Sequence, residues 1–223
     1  NKIPAEIASV IDICTVNARH KSEDVVLEGG SIDVNGSGTL ITTKQCLLSK
    51  ENHVRNPGFT VEDYESIFKK YFGIKNTIWL NGGIEGDDTN GHIDDICRFV
   101  NSSTVVACHE QDKGDFNHKP LEENLNILKH SRLEDGSRLN IIKLPMPEPK
   151  YFEGFRLPAS YANFYISNAG VLVPTFNDPN DYKAIGIFRE IFRGRKVVGI
   201  NCTDLIWGLG TIHCMTKEQN AQS

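Results

Sequence analysis

The sequence predicts a mixed α/β fold built from a repeated strand–strand–helix–strand (ββαβ) unit. Three amphipathic helical segments begin near residues 60, 120 and 181. Each is preceded by two β-rich runs and followed by one, so the repeat recurs about every sixty residues. Such a unit leaves sheet edges and a helix face uncovered, and closing units into a ring covers both. The sequence therefore predicts an α/β propeller, of which three complete units and a part are present.

The first complete unit has the most explicit local signals. Two β-rich runs within residues 23–48 flank an Asn35–Gly36 turn, a pair favoured where two adjacent positions need positive φ. Thr60 followed by Asp63 is typical of a capping box, and Gly73 is typical of a helix C-terminus. A strand at residues 77–80 completes the unit.

The later units follow the same order. The second is predicted from strands at 93–100 and 104–109, a helix from Pro120 and a strand at 139–144, and the third from strands at 161–167 and 170–176, a helix at 181–192 and a strand at 196–202. A last strand at 211–216 carries Cys214. Residues 1–22 are interpreted as the helix and strand that end an earlier unit, and the proline-containing segment 145–156 as a linker between repeats. The prediction is one domain over residues 1–223.

Cys214 is the candidate nucleophile. It follows the turn Gly208-Leu209-Gly210, where small residues leave room for a substrate carbon to approach the sulfur. A thiolate becomes nucleophilic when its pKa is lowered or when a base removes the proton.

His92, Asp94 and Glu28 are the candidate partners of that thiol. His92 and Asp94 are two residues apart, so in an extended segment their side chains point to one face. Glu28 is followed by Gly29 and Gly30, which leave its carboxylate uncrowded. Two anions beside a thiol favour a planar, delocalised cation such as a guanidinium. The residues therefore indicate thiol attack on a guanidinium carbon.

These segments resemble a known family. The motifs Leu27–Ser31, Gly86–Asp94 and Gly208–Cys214, with further stretches at 79–84, 156–165 and 173–179, are similar to those of the agmatine deiminases. These belong to the guanidino-group-modifying enzymes, close to the bacterial-type peptidylarginine deiminases. Family members are usually longer at the N-terminus, so the chain resembles their C-terminal two thirds. The turn before the cysteine differs: Leu209 and Thr211 stand where the family commonly has Gly and Asn.

The resemblance implies a pentein-type, five-unit α/β propeller and a cytoplasmic hydrolase with no cofactor. By this resemblance agmatine is converted to N-carbamoylputrescine and ammonia through a covalent intermediate on Cys214. His92 moves protons, and Glu28 and Asp94 bind the guanidinium. The N-terminal part of the family supplies another carboxylate and aromatic residues, so a site built from this chain alone would be open on one side. A homo-oligomer, or pairing with that N-terminal part, is left open.

Composition excludes several other classes. A net charge of −5 and a pI near 5.8 argue against nucleic-acid binding, which needs clustered Lys and Arg. No apolar run is long enough to span a membrane. The six cysteines show no CxxC spacing and are interpreted as reduced, mostly buried thiols. A metal site from His92, Asp94, Cys97 and His109 is disfavoured because the spacing is wrong.

Several alternatives stay open at this stage. Cys214, His92, Asp94 and Glu28 could each be structural when taken singly, and His213, next along a predicted strand, is expected to point away from the site. A peptidylarginine deiminase would share these motifs. A non-catalytic protein of the same propeller fold, or an inactive fragment, is a third hypothesis, against which the joint presence of the four residues argues.

Overall fold

The computed structural model describes residues 3–218. The chain begins with helix α1 (Ile3–Val10) and a short hairpin of β1 (Arg19–His20) and β2 (Glu23–Asp24). A helix and a strand were expected here as the end of an earlier unit. The helix is present, but β1 pairs antiparallel with β2. The hairpin is held to the first complete unit by polar contacts, since His20 Nε2 lies 2.8 Å from Asp63 Oδ1.

The first ββαβ unit comprises β3 (Ile32–Val34), β4 (Thr39–Thr43), α3 (Val61–Phe72) and β5 (Asn76–Leu80), with a one-turn helix α2 (Lys44–Leu47) after β4. The capping box is formed: Thr60 Oγ1 accepts from the Asp63 amide and the Asp63 carboxylate accepts from the Thr60 amide. Gly73 ends α3 at φ 68°, a conformation that costs glycine little.

The second unit comprises β6 (Cys97–Phe99), β7 (Thr104–His109), α4 (His118–His130) and β8 (Asn140–Pro145). The strand predicted over 93–100 is shortened, because residues 93–95 form a 3₁₀ turn instead. That turn places two adjacent aspartates, Asp94 and Asp95, inside the protein, where a strand would have turned one outward.

The segment between the second and third units is a hairpin and not only a linker. Strands β9 (Lys150–Phe152) and β10 (Phe155–Leu157) pair antiparallel. The ring of Phe152 stacks on Trp207, with centroids 4.3 Å apart. The hairpin therefore packs against the segment that leads to Cys214.

The third unit comprises β11 (Tyr165–Ile166), β12 (Gly170–Thr175), α5 (Asp181–Ile191) and β13 (Lys196–Asn201). Its first strand is only two residues long, not the predicted seven. The strand expected at 211–216 is absent, and a turn covers residues 212–215. Asn163, just before β11, accepts hydrogen bonds from Thr211 and His213. These bonds replace strand pairing in both segments, so β11 is short and residues 212–215 form a turn.

The three-stranded sheets of the three ββαβ units have the same topology. The first and second strands pair antiparallel, and the second and third pair parallel across the helix, as in β4 with β5. The repeated ββαβ unit predicted from the helix spacing is thus present. Within residues 3–218 the three-stranded sheets remain separate and do not join into a closed sheet.

The units share buried contacts. One apolar cluster runs through the second and third units and reaches Ile41 and Ile78 of the first. A buried ion pair joins all three, because Arg98 donates to Asp33 Oδ1 at 2.8 Å and to the carbonyl of Phe164 at 2.7 Å. All six cysteines are described and unpaired, and four are buried. No helix in the described part of the chain is long and apolar enough to cross a membrane.

The capping box generates a stability prediction. Replacing Thr60 by Ala removes the side-chain acceptor of the Asp63 amide, which should lower the free energy of unfolding by about 1 kcal/mol. Urea denaturation followed by circular dichroism measures this. Thr60→Ser is the control, since it keeps the hydroxyl and should lie close to the wild type; equal losses in both variants would contradict the capping role.

Candidate active site

A cavity of about 340 Å³ contains all four predicted site residues. Its walls come from three segments: the turn after β2, the segment between β5 and β6, and the segment after β13. These segments supply the following lining residues: Glu28, Gly29, Gly30, Asp88, Thr89, His92, Asp94, Gly208, Leu209, Gly210, His213, Cys214, Thr216, Lys217 and Glu218. The ends of β5 and β13 both lead into it, because each is the last, parallel strand of its unit.

The glycines beside the candidate groups permit close backbone approach. A Cβ atom on Gly30 would lie 2.6 Å from His92 Nδ1 and 2.8 Å from Asp94 Oδ2. A Cβ on Gly210 would lie 2.8 Å from Cys214 Cβ and 3.1 Å from its sulfur. Any larger residue at either position would have to displace the site.

Glu28 lies between two cationic groups. Its Oε2 accepts a hydrogen bond from His92 Nε2 at 3.0 Å and forms an ion pair with Arg55 Nε at 2.5 Å. The hydrogen bond from His92, together with the bond and charge of Arg55, lowers the pKa of Glu28 to about 2. Glu28 is therefore a carboxylate at neutral pH and holds His92 in place.

Arg55 was not anticipated from the sequence. Its side chain is 8% exposed, and it also donates to the carbonyl of Thr89 at 2.6 Å and lies 3.5 Å from His92 Nε2. The loop that carries it, between α2 and α3, has no local pattern that identifies a site residue. Only the folded chain brings this loop against Glu28.

His92 is buried at the start of the 3₁₀ turn. The Asp87 carboxylate accepts from the amides of Gly91 and His92, which fixes the approach of the backbone. Burial opposes charging of the imidazole, but contacts with the Cys46 sulfur and with Glu28, and the charge of Asp94, raise the pKa of His92 to about 10. The free site therefore holds an imidazolium at neutral pH.

Asp94 is completely buried, and among the described residues only one of its two carboxylate oxygens has hydrogen-bond partners. Its Oδ2 lies 2.7 Å from His213 Nδ1 and 3.5 Å from Cys214 Sγ. Its Oδ1, 3.9 Å from His92 Nδ1, has no hydrogen-bond partner among the described residues. Buried acceptors are normally paired, so this oxygen is open to a ligand donor. His92 and Asp94 share the cavity because of the 3₁₀ turn, not because of a strand.

His213 was expected to point away, and this was wrong. The expectation assumed a strand, whereas residues 212–215 form a turn, so consecutive side chains do not alternate. His213 and Cys214 both contact the Asp94 carboxylate. The position of His213 beside the candidate nucleophile was the only sequence signal for it.

Cys214 lies in this turn with its thiol against two carboxyl groups. Desolvation, followed by the charges of Asp95 and Asp94, raises the pKa of the thiol well above its usual range. From the sequence, attack was expected to need either a lowered thiol pKa or a base that removes the proton. Leu209, where the resembled family commonly has Gly, adopts φ 60° and ψ 24°, so this chain places a branched side chain in a left-handed conformation.

Two groups of potential metal ligands occur among the described residues. Glu28, Cys46 and His92 form one, and Asp94, Asp95 and Cys214 form the other, each within 4.8 Å. Neither is the four-residue set considered from the sequence, since His109 instead pairs with Glu122 at 3.1 Å. The first group is occupied by the Arg55 guanidinium, which repels a second cation.

Comparisons with known proteins agree on one family. The profile of the family described as Porphyromonas-type peptidyl-arginine deiminase matches residues 1–220. The agmatine deiminase of Pseudomonas aeruginosa (strain LESB58) is 37% identical over 222 residues, which cover 92% of this chain and 60% of the relative. The chain thus spans about 60% of the length of the curated relatives it matches.

Solved structures of agmatine deiminases are also similar to this chain in sequence and fold. The structure of a cysteine-to-serine variant of C. jejuni agmatine deiminase with substrate bound is 31% identical, has a TM-score of 0.83, and is matched over 96% of this chain and 60% of that one. The agmatine deiminase of Enterococcus faecalis is 30% identical, with a TM-score of 0.84 and coverage of 96% and 61%.

The Glu28–His92 pair generates a pH prediction. Glu28→Gln removes the carboxylate, so the His92 pKa should fall from about 10 towards the ordinary value of about 6.5. Histidine NMR titration measures this directly. Because the folded pKa lies above the unfolded one, His92 protonation stabilises the fold fully below about pH 6.5, and this stabilisation is lost as the pH rises through about 10.

The control is Glu51→Gln, which neutralises an exposed loop carboxylate. It should leave the His92 titration unchanged. An unaltered His92 pKa in Glu28→Gln would mean that the pair does not set the charge of the imidazole.

Proposed function

The chain belongs to the Porphyromonas-type peptidyl-arginine deiminase family, and we propose that it carries the catalytic groups of an agmatine deiminase. In this proposal Cys214 is the nucleophile, His92 transfers protons, and Asp94 and Glu28 bind the guanidinium. The substrate is a small guanidino compound, hydrolysed without a cofactor. Agmatine would give N-carbamoylputrescine and ammonia.

The unpartnered oxygen of Asp94 is the observation that carries the proposal. Asp94 Oδ1 is buried and has no hydrogen-bond partner among the described residues, while Oδ2 of the same carboxylate lies 3.5 Å from Cys214 Sγ. The free oxygen can accept from a donor that also carries positive charge. A guanidinium supplies planar N–H donors together with that charge. Binding to Asp94 would place the guanidinium carbon next to Cys214 Sγ.

The electrostatics also favour a cationic substrate. Desolvation and the charges of Asp95 and Asp94 raise the pKa of the Cys214 thiol, so the unliganded site holds the neutral thiol. A guanidinium bound to Asp94 would offset this negative charge and favour the thiolate. Nucleophile and substrate would thus be activated together, and the thiol would stay unreactive when the site is empty.

The reaction then proceeds in two halves. When the substrate binds, the Cys214 thiol releases its proton to solvent. The thiolate attacks the guanidinium carbon and forms a C–S bond, and the C–N π electrons become a nitrogen lone pair of the tetrahedral adduct. The His92 imidazolium donates its proton to one amino group, the C–N bond breaks, and ammonia leaves an amidino-thioether. The raised pKa of His92 suits this first step, because the proton is already in place.

Water completes the cycle. The neutral His92 left by the first half accepts a proton from a water molecule, which attacks the same carbon. Collapse of the second adduct breaks the C–S bond and forms the ureido carbonyl, and the hydroxyl proton of the adduct restores the Cys214 thiol. One water is consumed and one ammonia released for each guanidino group.

Peptidylarginine is the second substrate candidate, and the description of the matching family favours it. The two substrates share the guanidinium and differ at the other end. Ammonia release from agmatine, compared with release from a blocked arginine peptide, distinguishes them. A non-catalytic protein of this fold would release none from either.

The proposal refers to the whole protein. Residues 1–223 would form one catalytic domain whose three ββαβ units belong to a five-unit propeller, with further units closing the ring around the cavity. These units would add the remaining substrate contacts, either from the same polypeptide or from a paired one. A cytoplasmic location fits reduced cysteines.

Cys214 can be tested by covalent trapping. A haloacetamidine resembles the substrate and alkylates thiols, so peptide mapping should find Cys214 labelled ahead of the other five cysteines. Cys214→Ser in the whole protein should lower kcat by more than about a thousandfold with the fold retained. Preferential labelling elsewhere, or loss of structure in Cys214→Ser, would contradict the assignment.

The carboxylates can be tested by binding. Asp94→Asn and Glu28→Gln each remove a charge-assisted hydrogen bond to the substrate, so affinity for agmatine should fall roughly ten- to hundredfold. Calorimetric titration of the Cys214→Ser background measures this without turnover. Asp112→Asn, an exposed loop carboxylate, is the control; unchanged affinity in both site variants would refute the guanidinium clamp.

A further inference from the structure

Asn163 is a completely buried amide that contacts Cys214 and the turn that carries it. It lies just before β11, in the third unit, and is not among the groups that contact the substrate in the proposed reaction. Its side-chain oxygen and nitrogen face different partners. These two sets of contacts have separate consequences for Cys214.

The side-chain oxygen of Asn163 fixes the turn that carries Cys214. Asn163 Oδ1 accepts from Thr211 Oγ1 at 2.8 Å, from the His213 amide at 2.9 Å and from the Cys214 amide at 3.3 Å. Three donors converging on one atom require an acceptor there, which fixes the orientation of the amide. The backbone carbonyl of Asn163 also accepts from the His213 amide at 3.1 Å.

The nitrogen faces the thiol. Asn163 Nδ2 has two protons and two acceptors, Cys214 Sγ at 3.0 Å and Asp95 Oδ1 at 3.0 Å. The amide thus donates to the sulfur from the side where the Asp95 carboxyl group lies. An N–H donor is neutral, so it stabilises a thiolate without competing with a cationic substrate for the carboxylates.

We propose that Asn163 is a positioning residue that holds Cys214 Sγ beside Asp94 and stabilises its thiolate by donating from Nδ2. The inference rests on the proposed role of Cys214. Both carboxylates oppose ionisation of the sulfur, and the Asn163 amide counteracts them. Among the described residues, the titratable groups around this sulfur are Asp94, Asp95, His92, His213, Glu28, Asp88 and the Lys217–Glu218 pair.

Asn163→Asp separates the two contacts. The carboxylate keeps an oxygen for the three donors of the turn but cannot donate to the sulfur, and it adds negative charge. The rate of Cys214 alkylation by iodoacetamide, followed by mass spectrometry of its peptide across a pH range, reports the thiol directly. We expect the thiol pKa to rise and the rate at pH 8 to fall roughly ten- to hundredfold. In turnover, kcat should fall more than KM rises.

Asn163→Leu and Asn124→Asp complete the set. The leucine variant, similar in volume, removes both contacts and should also slow alkylation. The control Asn124 is buried to a similar degree, and within the described residues its side chain bonds the backbone of Asn81 and Gly82. Its variant should leave the Cys214 alkylation profile unchanged.

The outcomes are distinguishable. A wild-type alkylation profile in a folded Asn163→Asp protein would overturn the proposal, as would an equal shift in Asn124→Asp. Loss of the circular dichroism signal in both Asn163 variants would assign a structural role and also overturn it. Alkylation at Cys214 that depends on Asn163, with no ammonia released from any guanidino compound, would refute the proposed function alone.

Discussion

Two adjacent buried carboxyl groups, Asp94 and Asp95, impose the main constraint on this structure. Burying a charge is costly unless it is paired or hydrogen-bonded, so the surrounding chain must supply partners. His213 and Cys214 contact one of them, and Asn163 contacts the other. The 3₁₀ turn at residues 93–95 directs both side chains inward. Among residues 3–218, Asp94 Oδ1 has no hydrogen-bond partner, and the proposed function depends on that free acceptor.

The charge state of the site follows from these carboxylates. Anions around His92 favour the imidazolium, and anions around Cys214 favour the neutral thiol. Negative charge contributes to both effects, whereas desolvation favours the neutral form of each group; a bound cation would offset the effect of that charge on the thiol. Arg55 balances the negative charge of Glu28 by pairing with its carboxylate, and it keeps that carboxylate aligned with His92.

The repeated unit explains how residues far apart in sequence meet. In each unit the last strand is parallel to the middle one, so the ends of β5 and β13 deliver their following segments to the cavity. His92 and Asp94 follow one, and Cys214 follows the other. The Asp33–Arg98 pair and the shared apolar cluster fix the units against each other, and Asn163 ties the third unit to the cysteine turn.

The sequence by itself determined the repeated ββαβ unit, the capped helix α3 and the four residues around the cavity. These depend on local spacing, on capping and turn chemistry, and on motifs confined to short segments. Tertiary structure alone decided the partners: Arg55 on Glu28, His213 on Asp94 and Asn163 on Cys214. It also replaced the strand predicted at 211–216 with a turn and shortened the strand predicted at 93–100. Hydrogen bonds to Asn163 and the burial of adjacent aspartates outweighed local β-propensity there. These contacts join residues 27, 119 and 51 positions apart; contacts at such separations leave no periodicity in one sequence, so no local pattern reveals them.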